Sequence, residues 1–422
     1  MTNHKKLIAN QFDFKSTVQL SSSKSESNRA LMIRAYGGFD RHVKKLSDAD
    51  DTILLRENLE MINNCAKSSI PLVIDCGNAG TAFRFLVTYL ASLPGTWILT
   101  GSDRMKERPV GELVEALKTL GAEIDYTEKQ GFPPLRIQGK NISGGKVSIS
   151  TSKSSQFASS LLMAAPLWPQ GLELELVGEQ SSVPYLDMTI AIMQHFKADV
   201  KQKENHITVK PKAYRNIAFS VQPDWSSASY WYEIVALSNR GELLLQQLDT
   251  HTLQGDKVLV EIFEKLGVHT HQEPNGVRIF KMENFVPKPF SFDFKNSPDL
   301  LPTVAATCAG LGLEAHFTGL KNLMIKESDR TFAMRNELKK IGVFLEEITK
   351  DEYKLIPAKS LPAFSKEDAV VFETWSDHRL AMSLAPLTLK IGAVQINNAD
   401  VVSKSYPAFW NVLRKTSIMK LG

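Results

Sequence analysis

The stretch LVEALKTLGAEI, residues 113–124, shows the pattern that organises this chain. Its apolar residues recur every three or four positions, which predicts an amphipathic helix, and Gly121 supplies the turn into a short strand. The other copies and their turn residues are 189–200 with Lys197, 260–270 with Gly267, and 335–345 with Gly342. Because these turn residues recur about every 70–76 positions, we expect a repeated helix–turn–strand unit.

A second type of helix falls inside each repeat. Small or polar residues mark its start and an apolar run follows, which is typical of a helix N-terminus. The starts lie near Ser21, Ala79, Ser154, Ser226, Pro298 and Ser376. They predict six α/β units, three in each of two similar domains. The polar turn at 222–224 and the stretch before Ser21 are the candidate crossovers. We therefore expect one domain at 22–223 and the other at 1–21 plus 224–422.

Composition narrows the class of protein. A length of 422 residues, 43% apolar residues and a net charge of +4 are typical of a globular protein of two or three domains. The mild positive charge suits small acidic ligands rather than nucleic acid, which usually attracts dense basic clusters. No stretch approaches the roughly 20 apolar residues of a membrane span, and no signal peptide is evident. The scattered Cys65, Cys76 and Cys308 form no disulfide framework, so we expect a cytoplasmic location.

The segment SSSKSESNRA, residues 21–30, begins one of these helices with two cations. A helix N-terminus is already partly positive, so Lys24 and Arg29 are unfavourable there. An anion bound between the helix end and the cations would remove the conflict. The alternative is an ordinary capped helix in which Lys24 and Arg29 pair with Glu26.

Other helix starts carry similar groups. They are residues 75–84 (DCGNAGTAFR), Arg108 before Pro109, and residues 151–157, 182–185, 326–330, 375–379 and 403–407. Each one alone also fits an ordinary cap or a local ion pair, such as Asp329 with Arg330 or Asp377 with Arg379. Their recurrence favours anion binding in one cleft of focused positive potential.

Two carboxylates in such a cationic cleft are candidates for proton transfer. Asp299 suits a general base on a hydroxyl nucleophile, although it also fits a partner for the helix dipole. Glu327, flanked by Lys326 and Arg330, is a candidate acid or base. His378 can titrate near neutral pH, but we expect it to be structural. No grouping has metal-ligand spacing, and no nucleophile motif of the Gly-x-Ser-x-Gly type occurs.

Taken together, these motifs resemble the family of 5-enolpyruvylshikimate-3-phosphate (EPSP) synthase, also called 3-phosphoshikimate 1-carboxyvinyltransferase. The matching segments are SKSESNRAL (23–31), GNAGTA (77–82), RMKERPVG (104–111), SSQ (154–156), SVPY (182–185), DWSSASY (224–230), PD (298–299), KESDR (326–330), DHRLAM (377–382) and KSYP (404–407). The resemblance implies an α/β fold of two domains, each with three βαβαββ units in an inside-out barrel. It also places the active site in the cleft between the domains.

The reaction that the resemblance implies transfers the enolpyruvyl group of phosphoenolpyruvate to the 5-hydroxyl of shikimate 3-phosphate. Phosphate leaves a tetrahedral adduct, in a step of chorismate and aromatic amino-acid biosynthesis. No metal or organic cofactor is implied, and neither nucleic acid nor a membrane is expected as a partner. We expect a monomer.

The resemblance also assigns roles to individual residues. Asp299 would be the base, Glu327 the proton donor to the enol carbon, and Lys24 a further catalytic residue. Shikimate 3-phosphate would contact Lys24, Ser25, Arg29, Ser154, Ser155, Gln156, Ser182, Asp299, Asn322 and Lys326. Phosphoenolpyruvate would contact Lys24, Gly80, Arg108, Gln156, Arg330, Arg379 and Lys404. Asn78 belongs to the expected substrate-binding set.

Two segments depart from the family pattern. Phe83 and Phe85 flank Arg84 where the family usually has Met-Arg-Pro, and Pro223 replaces a usual Gly. The first change lies beside the expected phosphoenolpyruvate loop, so it bears on substrate affinity rather than on the type of reaction.

Two alternatives compete with this interpretation. One is the sister transferase acting on UDP-N-acetylglucosamine, which typically uses a loop cysteine. The counterpart loop at 104–109 contains no cysteine. The other is a non-catalytic anion-binding relative, but such a protein does not need Asp299 and Glu327 in a cationic site.

Overall fold

The computed structural model describes residues 3–39, 43–65, 71–152 and 154–422. Lys153, inside the helix start predicted at 151–157, lies outside these ranges. The described chain alternates strands and helices, so the predicted α/β class is confirmed. The strands are β1 (His4–Ala9), β2 (Asp13–Gln19), β3 (Leu72–Asp75), β4 (Gly95–Thr100), β5 (Glu123–Tyr126), β6 (Leu135–Gly139), β7 (Gly145–Ser150), β8 (Leu172–Val177), β9 (Asp199–Lys203), β10 (His206–Lys210), β11 (Arg240–Gln246), β12 (Val268–Glu273), β13 (Gly276–Lys281), β14 (Phe290–Asp293), β15 (Ala315–Thr318), β16 (Phe344–Thr349), β17 (Glu352–Ile356), β18 (Val370–Phe372), β19 (Ala393–Asn397) and β20 (Met419–Leu421).

Helices separate most of these strands. The α-helices are α1 (Lys24–Gly37), α2 (Asp50–Cys65), α3 (Gly80–Ala91), α4 (Asp103–Lys106), α5 (Gly111–Thr119), α6 (Ser155–Ala164), α7 (Val183–His195), α8 (Trp225–Leu237), α9 (Leu259–Glu264), α10 (Leu301–Leu311), α11 (Arg330–Lys339), α12 (His378–Leu384), α13 (Thr388–Ile391) and α14 (Phe409–Thr416). Short 3-10 helices lie at Ala165–Leu167, Gly255–Val258, Pro298–Leu300, Lys321–Ile325, Ala385–Leu387 and Ala399–Lys404.

The chain divides into two compact units. One, here called the terminal unit, combines Met1–Ser22 with Gln222–Gly422. The other, the inserted unit, is the continuous segment Ser23–Val221. In chain order the inserted unit therefore interrupts the connection between β2 and α8.

Both sheets of the inserted unit follow one plan. Their strand orders are β3-β4-β6-β5 and β7-β8-β10-β9. In each sheet the first two strands are parallel, with a helix between them, and the last two form an antiparallel hairpin. With α3 and α5, or α6 and α7, each sheet completes a βαβαββ unit.

The terminal unit contains three sheets of the same kind. Their orders are β12-β13-β11-β2, β14-β15-β17-β16 and β18-β19-β1-β20. Strand β2 runs parallel to β11 from Asp13 opposite Arg240 to Gln19 opposite Gln246. Strand β1 lies between β19 and β20. The first two strands of the chain therefore complete sheets whose other strands come from its second half.

The sixth repeat is reduced, which corrects the expectation of six complete units. In the described part of the chain it consists of α1, α2 and one parallel bridge between Lys44 and Ser220. The physical reason is the short connection after α2. Helix α2 ends at Cys65 and β3 begins at Leu72, which is too short a span for a further two-stranded hairpin.

The predicted turn residues all adopt a left-handed backbone. The φ angles are 95° at Gly121, 69° at Lys197, 87° at Gly267 and 78° at Gly342. Glycine reaches this region without steric cost, which explains its use at three of these turns. Ser417, with φ of 58°, makes the same turn between α14 and β20. This turn was not predicted because no glycine marks it.

Three mutually contacting helices form the centre of each unit: α1, α3 and α6 in the inserted unit, and α8, α10 and α12 in the terminal unit. Every residue of α12 is buried, and so are residues 301–310 of α10. A helix that is apolar on all sides belongs inside a core. The sheets therefore pack around helices, and the starts of these helices were the predicted chemical positions.

One core residue of the terminal unit is unusual. Glu233 of α8 is fully buried, and neither carboxyl oxygen has a hydrogen-bond partner among the described residues. Burial raises the pKa of Glu233 well above its ordinary 4.5. Burial also raises the pKa of Cys308 on α10. Burial therefore favours the neutral form of Glu233 in the folded protein.

We predict that Glu233→Gln makes the thermal stability of the terminal unit less dependent on pH. Between about pH 4.5 and the raised pKa of the folded state, the unfolded chain ionises Glu233 but the folded chain does not, so stability falls as the pH rises through that range. Each unit of this pKa difference is worth about 1.4 kcal/mol, or a few degrees in melting temperature. Melting curves at pH 5 and pH 8 should show that the melting temperature of Glu233→Gln, relative to wild type, is higher at pH 8 than at pH 5.

Glu337 provides a matched control. It is also buried, but it accepts bonds from Lys340 Nζ at 2.6 Å, Trp375 Nε1 at 2.9 Å and the Glu373 amide at 2.9 Å. Glu337→Gln should therefore lose stability at both pH values. Equal behaviour of the two variants would contradict the neutral state of Glu233.

Candidate active site

Arg330, the first residue of α11, is the centre of the site in the terminal unit. Its Nε donates to Asp377 Oδ2 at 2.8 Å, its Nη1 to Asp299 Oδ1 at 2.7 Å and its Nη2 to Glu327 Oε2 at 2.8 Å. Its side chain is only 1% exposed. Three acidic residues from three separate loops thus surround one buried cation. Removing any one of them would leave the charge of Arg330 poorly compensated.

Asp299 joins a second set of cations to this cluster. It lies in the 3-10 turn that leads into α10, and its Oδ2 accepts from Arg379 Nη2 at 2.7 Å. Lys326 Nζ lies 3.7 Å from Asp299 Oδ1. Burial alone would raise the pKa of Asp299, but Arg379, Lys326 and Arg330 outweigh it and hold that pKa well below 3.8. Asp299 is therefore a carboxylate at neutral pH and a weak base while these contacts last.

Asp377 contacts both arginines, Arg330 through its side chain and Arg379 through its backbone amide. Its Oδ1 caps α12 by accepting from the Arg379 amide at 2.9 Å, and its Oδ2 accepts from Ser328 Oγ at 3.1 Å as well as from Arg330. The residues just before it, Trp375 and Ser376, have φ angles of 53° and 55°, which few residues other than glycine adopt. This role was not predictable from the sequence, in which Asp377 was expected only as a local partner of Arg379.

The local pair expected as an alternative at α11 is not the one observed. Asp329 caps the helix by accepting from the Phe332 amide at 3.0 Å, whereas Arg330 turns to the three carboxylates above. Asp256, also missed, is buried and accepts from Ser226 Oγ at the start of α8. Its pKa is raised to about 6 by burial first and then by Asp299, which indicates that it lies near the cluster.

The other predicted residues of the terminal unit lie on 3-10 helices. Asn322 belongs to Lys321–Ile325 and Lys404 ends Ala399–Lys404. The loop after Lys404 is tied to the end of β2, because Tyr406 Oη donates to Gln19 O at 2.8 Å. Direct contacts thus bring together Asp299, Lys326, Glu327, Arg330 and Arg379.

In the inserted unit, Lys24 has a different partner from the one expected. Lys24 Nζ donates to Asp51 Oδ2 at 3.0 Å, and both side chains are largely buried. Glu26 was the expected partner in the capped-helix alternative. Instead its backbone amide donates to the capping Ser23 Oγ at 3.4 Å. The pairing depends on how α1 packs against α2, which no local sequence pattern indicates.

Arg29 is buried and donates hydrogen bonds to neutral acceptors. It donates from Nε to Thr189 Oγ1 at 2.7 Å and from Nη2 to Tyr185 O at 3.0 Å, both on α7. Its Nη1 donates to Ser25 O at 3.0 Å, one turn back on α1. Burial lowers its pKa to about 10, so it stays charged at neutral pH. A buried cation whose hydrogen bonds go to neutral groups, with Glu26 as the carboxylate acting on its charge, is suited to attract a further anion.

The start of α3 holds a third group of cations. Arg84 Nη1 donates to Gly80 O at 3.0 Å, and a methyl group added to Gly80 would lie 2.6 Å from Nη1 of both Arg84 and Arg108. Gln156 Nε2 donates to Thr81 Oγ1 at 3.0 Å. The predicted Gly80, Arg108 and Gln156 therefore lie together at a helix N-terminus, a natural position for an anion.

The remaining predicted residues of this unit begin helices. Ser154 caps α6 by accepting from the Gln156 amide at 3.2 Å, and Ser155 follows it. Ser182 precedes α7 with a left-handed φ of 56°. Asn78 lies two residues before α3. Among the described residues no group of His, Cys, Asp and Glu could hold a metal ion. No helix there is long and apolar enough to cross a membrane.

Comparison with known proteins identifies the family. The model of the EPSP synthase (3-phosphoshikimate 1-carboxyvinyltransferase) family matches residues 8–413. A protein named 3-phosphoshikimate 1-carboxyvinyltransferase from Bacteroides fragilis (strain YCH46) is 41% identical over 418 residues, covering 99% of both chains. One from Sulfurovum sp. (strain NBC37-1) is 34% identical over 422 residues, covering 95% of this chain and 96% of the relative.

Comparison with solved structures also finds EPSP synthases. The solved structure of an EPSP synthase from Acinetobacter baumannii matches with a TM-score of 0.77 at 21% identity, over the full length of both chains. At that identity the match concerns the fold alone. The sequence matches go further, and the chain belongs to the EPSP synthase family. The resemblance stated from the motifs is thereby confirmed.

We predict that Gly80→Ala weakens binding of phosphoenolpyruvate, the anion assigned to Gly80 and Arg108. The new methyl group would have to push aside the Arg108 guanidinium, whose Nη1 would otherwise lie 2.6 Å away. We expect KM for phosphoenolpyruvate to rise about tenfold, equivalent to about 1.4 kcal/mol. Steady-state kinetics with varied phosphoenolpyruvate measure this.

Gly111→Ala is the matched control for this substitution. It also begins a helix, but the atom nearest to the added methyl group would be Gly131 Cα at 3.4 Å, an ordinary contact. Its KM should stay within about twofold of wild type. An unchanged KM in Gly80→Ala would contradict the proposed place of the anion.

Proposed function

We propose that the protein transfers the enolpyruvyl group of phosphoenolpyruvate to the 5-hydroxyl of shikimate 3-phosphate and releases phosphate. The observation that carries this proposal is the cluster in which Asp299 and Glu327 both contact Arg330. It combines cations for anionic substrates with two carboxylates for proton transfer. Family membership and the names of the relatives support the same reaction.

In this mechanism the hydroxyl oxygen forms a bond to C2 of phosphoenolpyruvate while its proton passes to Asp299. Carbon C3 accepts a proton from Glu327, which gives the tetrahedral adduct. The C2–O bond to phosphate then breaks and the departing phosphate takes the proton held by Asp299. Carbon C3 returns a proton to Glu327, which restores the double bond. We assign Lys24 to the charge on the reacting oxygens. All proton transfers use groups of this chain, so no cofactor is needed.

Both substrates carry a phosphate and a carboxylate, which accounts for the number of predicted cations. We propose that Lys24, Arg29 and Arg108 of the inserted unit bind such groups, together with the predicted serines, Asn78 and Gln156. In the terminal unit the proposed contacts are Asn322, Lys326, Arg330, Arg379 and Lys404. Buried arginines suit this role because their planar donors match phosphate and carboxylate geometry.

We also propose a monomer that acts in the cytoplasm, in aromatic amino-acid biosynthesis. The buried thiols of Cys76 and Cys308 suit a reducing compartment. Size-exclusion chromatography with light scattering checks the monomer, since a dimer would double the mass of 47.1 kDa.

We predict release of inorganic phosphate when the protein is incubated with shikimate 3-phosphate and phosphoenolpyruvate together. Neither compound alone should give phosphate, because the group is lost only from the adduct of both. A phosphate-release assay combined with detection of the enolpyruvyl product checks this. Release with UDP-N-acetylglucosamine instead would favour the sister transferase, and binding without turnover would favour a non-catalytic relative.

Asp299→Ala is predicted to retain substrate binding but to lose most turnover. Removal of a general base typically costs 10²–10⁴-fold, so kcat should fall by roughly that factor. Calorimetric titration with shikimate 3-phosphate and steady-state kinetics separate the two effects. Asp368→Ala, on the exposed surface, is the control and should behave as wild type. Unchanged turnover in Asp299→Ala would exclude Asp299 as the base.

A further inference from the structure

All three nitrogens of the Arg330 guanidinium are already engaged. Each donates to a different carboxylate, from Asp377, Asp299 and Glu327, at 2.7–2.8 Å. The side chain is 1% exposed, so solvent hardly reaches it. Nη1 and Nη2 each keep a second N–H, but at 1% exposure an external phosphate or carboxylate can reach them only if a neighbouring group moves, and the three bonded carboxylates are the candidates.

The surroundings indicate which carboxylate moves. Asp377 is fully buried, caps α12 and holds Ser328, so its departure would disturb a helix start. The Glu327 side chain is 11% exposed and contacts Arg330 from three residues away on the same segment. The Asp299 side chain is 19% exposed, the highest value of the three.

Asp299 also occupies the second arginine. Its Oδ1 accepts from Arg330 and its Oδ2 from Arg379, both at 2.7 Å. Two oxygens of one carboxylate thus bridge two arginines, as two oxygens of a phosphate or of a substrate carboxylate would do. Both arginines belong to the set assigned to phosphoenolpyruvate.

We propose that Asp299 is an internal substitute for the anionic substrate group. In the ligand-free protein it occupies Arg330 and Arg379, and an incoming phosphate or carboxylate displaces it from both. The inference rests on the proposed function for its link to catalysis, but the exchange itself concerns any anion of this chemistry.

The exchange would link binding to catalysis. The groups that face Asp299 are Arg379, Lys326, Arg330, Glu327 and Asp256. Anion binding to the two arginines weakens the attraction that holds the Asp299 pKa low, so that pKa rises. Asp299 becomes a stronger base only when the anion is in place, and the contacts it loses reduce the affinity for that anion by reciprocal coupling.

Inorganic phosphate is the probe that tests the exchange without turnover. Isothermal titration calorimetry would compare wild type, Asp299→Asn and Glu327→Gln. Both variants remove one negative charge next to Arg330 while keeping the side-chain shape, so Glu327→Gln controls for simple electrostatics. We expect phosphate to bind at least about tenfold more tightly to Asp299→Asn, and less than about threefold more tightly to Glu327→Gln.

A further variant locates the effect. Adding Arg379→Gln to Asp299→Asn should abolish the gain, because it removes one of the two arginines that the phosphate would bridge. Equal gains in Asp299→Asn and Glu327→Gln, or no gain in Asp299→Asn, would overturn the proposal. Since phosphate binding needs no turnover, this result is independent of whether the protein makes the enolpyruvyl product.

A structure of the wild type with phosphate provides a second measurement that no folding defect can obscure. The proposal expects phosphate on Arg330 and Arg379, with the Asp299 oxygens beyond hydrogen-bond distance of both. Phosphate bound at these arginines while Asp299 keeps its present 2.7 Å contacts would refute it.

Discussion

The site of the terminal unit depends on one constraint, the burial of the Arg330 charge. A guanidinium that is 1% exposed is tolerable only with acceptors arranged around it, and here three carboxylates supply them. These carboxylates come from the entrance to α10, from the loop before α11 and from the cap of α12. The Arg330 guanidinium thus contacts three helix starts that are distant in the chain. One of its partners, Asp299, also contacts Arg379 and lies near Lys326.

The repeated architecture makes this convergence possible. Each complete repeat contributes a helix to the centre of its unit, and the start of that helix follows a strand at the same place in the repeat. A residue type that recurs at helix starts therefore lies at the same position in each repeat. The helices themselves are almost entirely buried, so polar side chains are concentrated at their ends, where free backbone amides already favour negative charge.

Much of this was predictable because it is local or periodic. Amphipathic helices, their left-handed turns at Gly121, Gly267 and Gly342, and the starts of the central helices all follow from spacing along the chain. The reduced sixth repeat was not predictable, because its helices resemble those of complete repeats and only the short connection after α2 prevents a hairpin. The turn at Ser417 was not predictable because no glycine marks it.

By itself, the sequence determined the family, the α/β class and the types of residue available for anion binding and proton transfer, since motifs and periodicity are properties of the chain. Only the tertiary structure decided the partners. Lys24 pairs with Asp51 rather than with Glu26. Asp377 accepts from the Arg330 side chain and from the Arg379 amide, and Asp299 accepts from the side chains of both arginines. Ion pairs between residues far apart in the sequence depend on how the helices pack. The spacing of residues along the chain does not show which of these side chains come within contact distance.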